Sequence, residues 1–322
     1  MNTGATAADR VRRFIDPHHH LWSRGGEKYL IDEFNADLNS FKSPHATVYM
    51  ECLNHHRQDG EAALRCTGET AFVAGLAAEL AAAGTHNLLN GFVAYGDLAL
   101  GEGLGRVLDA HAAIAGERFK GVRYCVAWDS DDRIHSAYPT VAGMLAHKSV
   151  AAGVAQLQRR GLSLDIWAYF TQLDELAEFM QRHPGMDVIL NHCGGPIGVG
   201  RYAGRREEVF GHGRQGLERL AVHDGLTVKF GGMAMAVAGF GWHRRASRPD
   251  AATLAAAWRP YFDICLELFG PGRMMFESNF PVDRRGCDYG TMWRAFAQLA
   301  DGRADADIDA LFYGTAARVY RL

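Results

Sequence analysis

The sequence predicts an α/β protein closed as a (β/α)₈ TIM barrel, and three observations carry that expectation. Short β-branched or apolar runs alternate with alanine- and leucine-rich stretches along all 322 residues, the pattern of βα units on a parallel sheet. Eight such runs can be counted. An open doubly wound sheet usually stops at fewer strands and needs a phosphate loop after its first. The one glycine cluster near a helix start, Gly101-Glu102-Gly103-Leu104-Gly105, follows the third run and lacks the third glycine of the dinucleotide spacing, which sets that alternative aside.

In sequence order, strands are expected at Arg13–Pro17, Thr47–Leu53, Leu89–Tyr95, Gly121–Ala127, Leu162–Ala168, Asp187–Asn191, Leu226–Phe230 and Arg273–Ser278. Helices are expected between them at Gly60–Ala83, Gly103–Gly116, Val141–Arg160, Gln172–Arg182, Glu207–Val222, Ala251–Phe269 and Asp288–Ala300, with Ala304–Val319 closing the chain. Most carry apolar residues at helical spacing: Leu173, Leu176 and Phe179-Met180 form one stripe, and Leu217, Leu220 and Ala221 another. Two long segments, Leu21–Ala46 and Gly194–Arg206, read as irregular loops after the first and sixth strands. Loops of more than about 12 residues in compact domains are usually binding loops or lids. Residues 1–322 are read as one domain, with 1–12 an N-terminal tail.

Lys+Arg total 34 against 37 Asp+Glu, a net charge of −3, so no excess of positive charge exists to condense onto phosphate backbones. A nucleic-acid partner is not expected. Six cysteines lie far apart with no Cys-x-x-Cys pair, which reads as reduced, mostly buried thiols rather than a zinc ribbon or a disulfide scaffold. No signal peptide and no membrane span are visible, since the longest apolar stretch, Phe72–Gly84, is interrupted by Glu79. A cytoplasmic protein is the resulting expectation, and self-association is expected only as a habit of barrel folds.

The first strand runs into Asp16-Pro17-His18-His19-His20-Leu21-Trp22. Strand alternation puts Asp16, His18 and His20 on one face, and the carboxyl end of a barrel strand faces the active-site mouth. Two imidazoles at this spacing can chelate a divalent ion or surround a substrate oxygen. The sixth strand ends in Asn191-His192-Cys193-Gly194-Gly195-Pro196, which brings His192 to the same rim, and the eighth in Glu277-Ser278-Asn279-Phe280-Pro281-Val282-Asp283. These three segments resemble the fingerprints of the amidohydrolase superfamily. More narrowly, the sequence is similar to the amidohydrolase-2 branch, which includes sugar-lactone hydrolases, pyrone-dicarboxylate lactonase and non-oxidative decarboxylases. The stretches Phe119–Arg123, Leu226–Phe230 and Tyr313–Tyr320 look like that branch too.

Two positions differ from the pattern of the branch. Asn279 stands where the family usually has an aspartate that orients or deprotonates the attacking water, and a carboxamide can do only the first. Glu277, Asp283 and Glu51 then become the candidate proton acceptors. The fifth strand, Leu162–Phe170, offers neither the lysine nor the histidine of the two-metal members. At most one ion, zinc or manganese, is expected on His18, His20 and His192 with Asn279 or water, and a metal-free mechanism is an equal expectation. Arg123 is the candidate anchor for a substrate carboxylate, unless it pairs with Asp165 or Glu51. Trp22, Trp167 and Tyr169 are candidates to stack on a ring-shaped substrate, with at least one of them in the core. Arg201, Arg205 and Arg206 are further cations that could lie over the mouth.

What the resemblance implies is a hydrolase of a small, carboxylate-bearing lactone, acting by water attack on a carbonyl polarised at the histidine rim. The alternatives are a metal-dependent decarboxylase of an aromatic acid, an amide hydrolase, and a non-catalytic binding relic of the same barrel.

Overall fold

The computed structural model describes residues 7–134 and 136–322. Its strands are β1 (Ile15–His19), a hairpin of β2 (Trp22–Arg24) and β3 (Glu27–Tyr29), then β4 (Ala46–Met50), β5 (Gly91–Tyr95), β6 (Phe119–Cys125), β7 (Ser163–Trp167), β8 (Val188–Leu190), β9 (Leu226–Phe230) and β10 (Met274–Phe276). Eight of them form one parallel sheet in the order β1-β4-β5-β6-β7-β8-β9-β10, and helices lie between successive strands. The sheet curls into a nearly closed (β/α)₈ barrel. At the seam, the Asn279 amide donates to the His18 carbonyl at 2.8 Å and the His20 amide to the Phe280 carbonyl at 2.7 Å. The bonds that close the barrel are therefore made by the segments that carry the site.

Strand β9 shows how the sequence builds this geometry. In Leu226-Thr227-Val228-Lys229-Phe230 every residue is buried, because a barrel strand is covered on both faces. Phe230 points outward against Phe262, Phe276 and Phe296, each burial being favourable by roughly 1.5–3 kcal/mol. Lys229 takes the opposite face and enters the barrel. The helix Ala251–Phe269 matches its expected span and runs through Pro260. The missing N–H and the ring clash of an interior proline cost roughly 3 kcal/mol, against which stands the burial of Trp258, Tyr261 and Phe262 on the same helix.

All eight barrel strands fall where the sequence places them, with ends shifted by at most three residues. Several connections differ from expectation: the helix expected from Gly60 begins only at Thr67 after a short turn at Ala62–Leu64, and the closing helix is interrupted at Ala310–Gly314. Leu21–Ala46 is not an irregular loop: it holds the β2/β3 hairpin and a helix at Ile31–Leu38, both too short to show periodicity. The helix expected from Val141 begins only at Val150. Pro139 and the left-handed Gly143 keep the preceding residues as a long loop over the barrel mouth.

Of the expected N-terminal tail, residues 1–6 lie outside the described residues, and Ala7–Arg10 forms a helical turn. Arg10 ties that turn to Asp305 at 2.5 Å. All six cysteines are free and buried. Among the described residues no helix is long and apolar enough to cross a membrane.

Candidate active site

Beneath the mouth of the barrel lies a cleft of about 270 Å³. His20, His192, Arg24, Arg123, Ser136 and Asn279 contribute its polar lining, and Trp22, Trp167, Tyr169 and Tyr138 its aromatic walls. All three of the aromatic residues expected at strand ends reach it while remaining largely buried. Trp167 meets the His192 ring edge to face at 4.6 Å, and Trp22 stacks at 6.1 Å on His20.

Glu277 organises the floor. Its carboxylate accepts from His192 Nδ1 at 2.6 Å and from the His192 backbone amide at 3.0 Å, and its other oxygen lies 2.6 Å from His18 Nδ1. A carboxylate can only accept, so the His192 imidazole carries its proton on Nδ1 and turns a lone pair outward at Nε2. Burial holds the His18 imidazole well below its ordinary range, which keeps it neutral. Burial alone would raise the Glu277 carboxyl, but His192 and His18 outweigh it and keep the group ionised.

His192 adopts left-handed backbone at φ 56°, which brings its amide and its ring to the same carboxylate. Gly232 makes room for the ring: a Cβ there would stand 2.5 Å from His192 Cγ and Nδ1.

Two buried ion pairs flank His18. Arg123 Nε donates to Glu51 Oε1 at 2.7 Å. The same guanidinium bonds the Glu51 carbonyl and the Tyr138 hydroxyl, and its Nη1 lies 3.4 Å from His18 Nε2. On the far side, Lys229 Nζ sits 2.9 Å from Asp165 Oδ1 and 3.4 Å from His18 Nδ1. Of the two partners the sequence left open for Arg123, the structure selects Glu51. Asp165 goes to Lys229, with Asn191 and the Tyr320 hydroxyl as further donors at 2.8 and 2.9 Å.

The candidate residues are distributed unevenly. None of the three candidate carboxylates is among the cleft-lining residues. Glu277 lies under the two histidines and Glu51 under Arg123. Asp283 accepts from Asn279 Nδ2 at 2.6 Å and from the Ala234 amide, and burial pushes its carboxyl up to about 8. His20 faces the Met50 carbonyl through Nδ1 at 2.8 Å and Asn279 Oδ1 through Nε2 at 3.2 Å. Asp16 does not share the site: it accepts from Tyr289 on the outer helix Tyr289–Leu299 and from the Ser278 amide, because β1 bulges between Asp16 and His19. Arg201 and Arg205 pair with Asp129 and Glu208, and Arg206 lies over the Phe240 ring.

Lys229, Tyr138 and Arg24 were not singled out from the sequence. A lysine inside an otherwise apolar strand was a usable signal, since a buried ammonium demands a partner. Tyr138 and Arg24 lie in segments without periodicity and gave none.

The expected set of His18, His20 and His192 does not converge on one point. The group that does is His18, His192 and Glu277, whose donor atoms lie within 4.8 Å of one another. Those distances admit an ion, but the electrostatics oppose it. Lys229 and Arg123 each place a cation 3.4 Å from a ring nitrogen of His18. A divalent ion within about 4 Å of either would meet a repulsion on the order of several kcal/mol. The donor set therefore does not fit a metal without displacing one of those cations.

Comparison with known proteins identifies the family. The chain is 28% identical over 335 residues to the uncharacterized protein y4mH of Sinorhizobium fredii, covering 96% of this chain and 98% of the relative. It is 26% identical over 313 residues to L-fucono-1,5-lactonase of Burkholderia multivorans, covering 96% of each. An amidohydrolase from Burkholderia multivorans, solved with bound zinc, superposes with a TM-score of 0.73 at 25% identity, covering 96% of this chain and 99% of that one. The amidohydrolase family model Amidohydro_2 matches residues 15–322, so the chain belongs to the amidohydrolase family.

Proposed function

We propose that the protein hydrolyses a lactone by general-base catalysis from His192. One observation carries this reading: Glu277 holds the Nδ1 proton of His192, so the lone pair at Nε2 is the base that the cleft offers. Asn279 replaces the family's aspartate, and the role of that aspartate passes to the imidazole.

The ring of the substrate lies between Trp22, Trp167 and Tyr169, and its carbonyl oxygen accepts from the Arg123 guanidinium. Water attacks the carbonyl carbon while His192 Nε2 takes its proton. The Glu277 carboxylate stabilises the imidazolium that forms, and Arg123 stabilises the oxyanion. When the ring C–O bond breaks, His192 returns the proton to the leaving alkoxide, giving a hydroxy acid that ionises. The relation to L-fucono-1,5-lactonase supports a sugar-acid lactone as the substrate class.

The test is turnover of L-fucono-1,5-lactone and D-glucono-1,5-lactone, followed by acid release, with metal content measured on the same sample. His192→Asn is expected to lower kcat by about 10²–10⁴-fold, and chelator treatment to leave the wild-type rate unchanged. Full activity in His192→Asn would overturn the reading. So would about one zinc per protein molecule whose removal abolishes turnover.

A further inference from the structure

Arg123, the arginine expected to grip a substrate carboxylate, already has one. It is bound to the Glu51 side chain and main chain, so the pair presents no net charge to a ligand. The cleft has one other arginine, Arg24, at the end of β2. Its cross-strand neighbour is Glu27, but Glu27 pairs with Arg285 at 3.7 Å. The Arg24 guanidinium turns instead to the mouth of the barrel. There Nη1 donates to the Cys52 carbonyl at 2.7 Å, and the group lies over the Trp22 ring at 4.6 Å. Among the described residues no carboxylate forms an ion pair with it.

These contacts immobilise the guanidinium without neutralising it. A backbone carbonyl fixes one nitrogen and an aromatic face fixes the plane, so little side-chain entropy remains to be lost when an anion binds. The Trp22 ring that supports Arg24 also stacks on His20, which places the guanidinium beside the substrate ring.

We propose that Arg24 is the specificity-determining residue of the cleft, taking a carboxylate substituent of the substrate. The preferred substrate class is then an anionic lactone, the ring form of a dicarboxylic sugar acid, rather than a neutral aldonolactone. This rests on the lactonase reading above and narrows it.

The experiment compares D-glucaro-1,4-lactone, which carries the carboxylate, with D-glucono-1,4-lactone, which carries CH₂OH at the same carbon. Wild type, Arg24→Gln and Arg24→Lys are assayed with each. In Arg24→Gln the kcat/KM ratio of the anionic to the neutral lactone is expected to fall by roughly 10- to 100-fold, with the change in KM rather than kcat. Arg24→Lys restores part of it, because the charge returns without the planar fork. Added salt narrows the wild-type preference, as screening requires.

Calorimetric binding of the acyclic sugar acids D-glucarate and D-gluconate to the same proteins separates the two readings. If no lactone turns over but Arg24→Gln loses glucarate binding and keeps gluconate binding, the lactonase reading fails and the carboxylate site stands. If both lactones turn over and Arg24→Gln changes them alike, the assignment of Arg24 is overturned and the lactonase reading stands.

Discussion

Two buried ion pairs touch opposite nitrogens of the same histidine, and they differ in what lies behind them. Lys229 and Asp165 approach His18 from below, both with fully buried side chains, and their other partners are the Pro17 carbonyl, Asn191 and Tyr320. Arg123 and Glu51 approach from above. Arg123 borders the cleft, and the pair's third partner, Tyr138, comes from the long loop over the mouth. The lower pair is sealed among strands and the C-terminal helix Thr315–Tyr320, so its charges have no alternative to one another. In the proposed reaction the upper pair exchanges a protein partner for a substrate oxygen, because Arg123 borders the cleft. An ion pair beside a reacting carbonyl is useful when it can be re-partnered, and one under the floor when it cannot.

Breaking the lower pair is the severest test of that contrast. Lys229→Met leaves Asp165 buried without its cation and is expected to destabilise the fold by about 3–5 kcal/mol, read from urea unfolding. Lys229→Met with Asp165→Leu removes both charges and is expected to recover most of that loss. A double variant as unstable as the sum of its singles would show that the pair does more than neutralise itself. Glu51→Gln in the upper pair is expected to cost less, about 1–3 kcal/mol, because Arg123 keeps Tyr138 and the cleft. Its larger effect is expected on kcat/KM, since in the proposed mechanism the freed guanidinium no longer holds its place over the oxyanion. Equal losses of stability in Lys229→Met and Glu51→Gln would erase the distinction.

The smallest effect sharpens the comparison with a third buried acid. Burial raises Asp283 to about 8 from the ordinary 3.8. The folded protein therefore retains a proton that the unfolded one has lost between roughly pH 4 and 8, and stability falls as pH rises through that window. Asp283→Asn is expected to flatten this part of the curve, seen as a smaller fall in Tm than wild type between about pH 6 and 9. An unchanged slope would place the ionised carboxylate, not the acid, in the folded state.

Much of the candidate site was legible in residue types and strand ends. His20, His192 and Asn279 gather at one rim because the carboxyl ends of barrel strands must do so, while His18 lies buried beneath them. The partnerships were not legible. Asp165 lies on β7, the direct neighbour of β6 and in register with Arg123, whereas Glu51 follows β4, two strands away across β5, and only the closed barrel brings its carboxylate to the guanidinium. Asp283 sits four residues beyond Asn279, and only the turn between them brings its carboxyl under the amide instead of into the mouth.

By itself the sequence determined the barrel, since eight apolar runs separated by helical stretches have few other ways to bury both faces of every strand. It also placed His20 and His192 at the mouth, but did not show the burial of His18 beneath them. Tertiary structure alone decided the proton positions and the charges. Glu277 becomes a bridge only when β1, β8 and β10 converge, and among the described residues Arg24 meets no carboxylate while its cross-strand neighbour Glu27 pairs with Arg285. Patterning along the sequence is set by burial, which each residue carries as a property of its own side chain. Tautomers and ion pairs are set by distances of about 3 Å between residues remote in sequence, and only the folded protein supplies those.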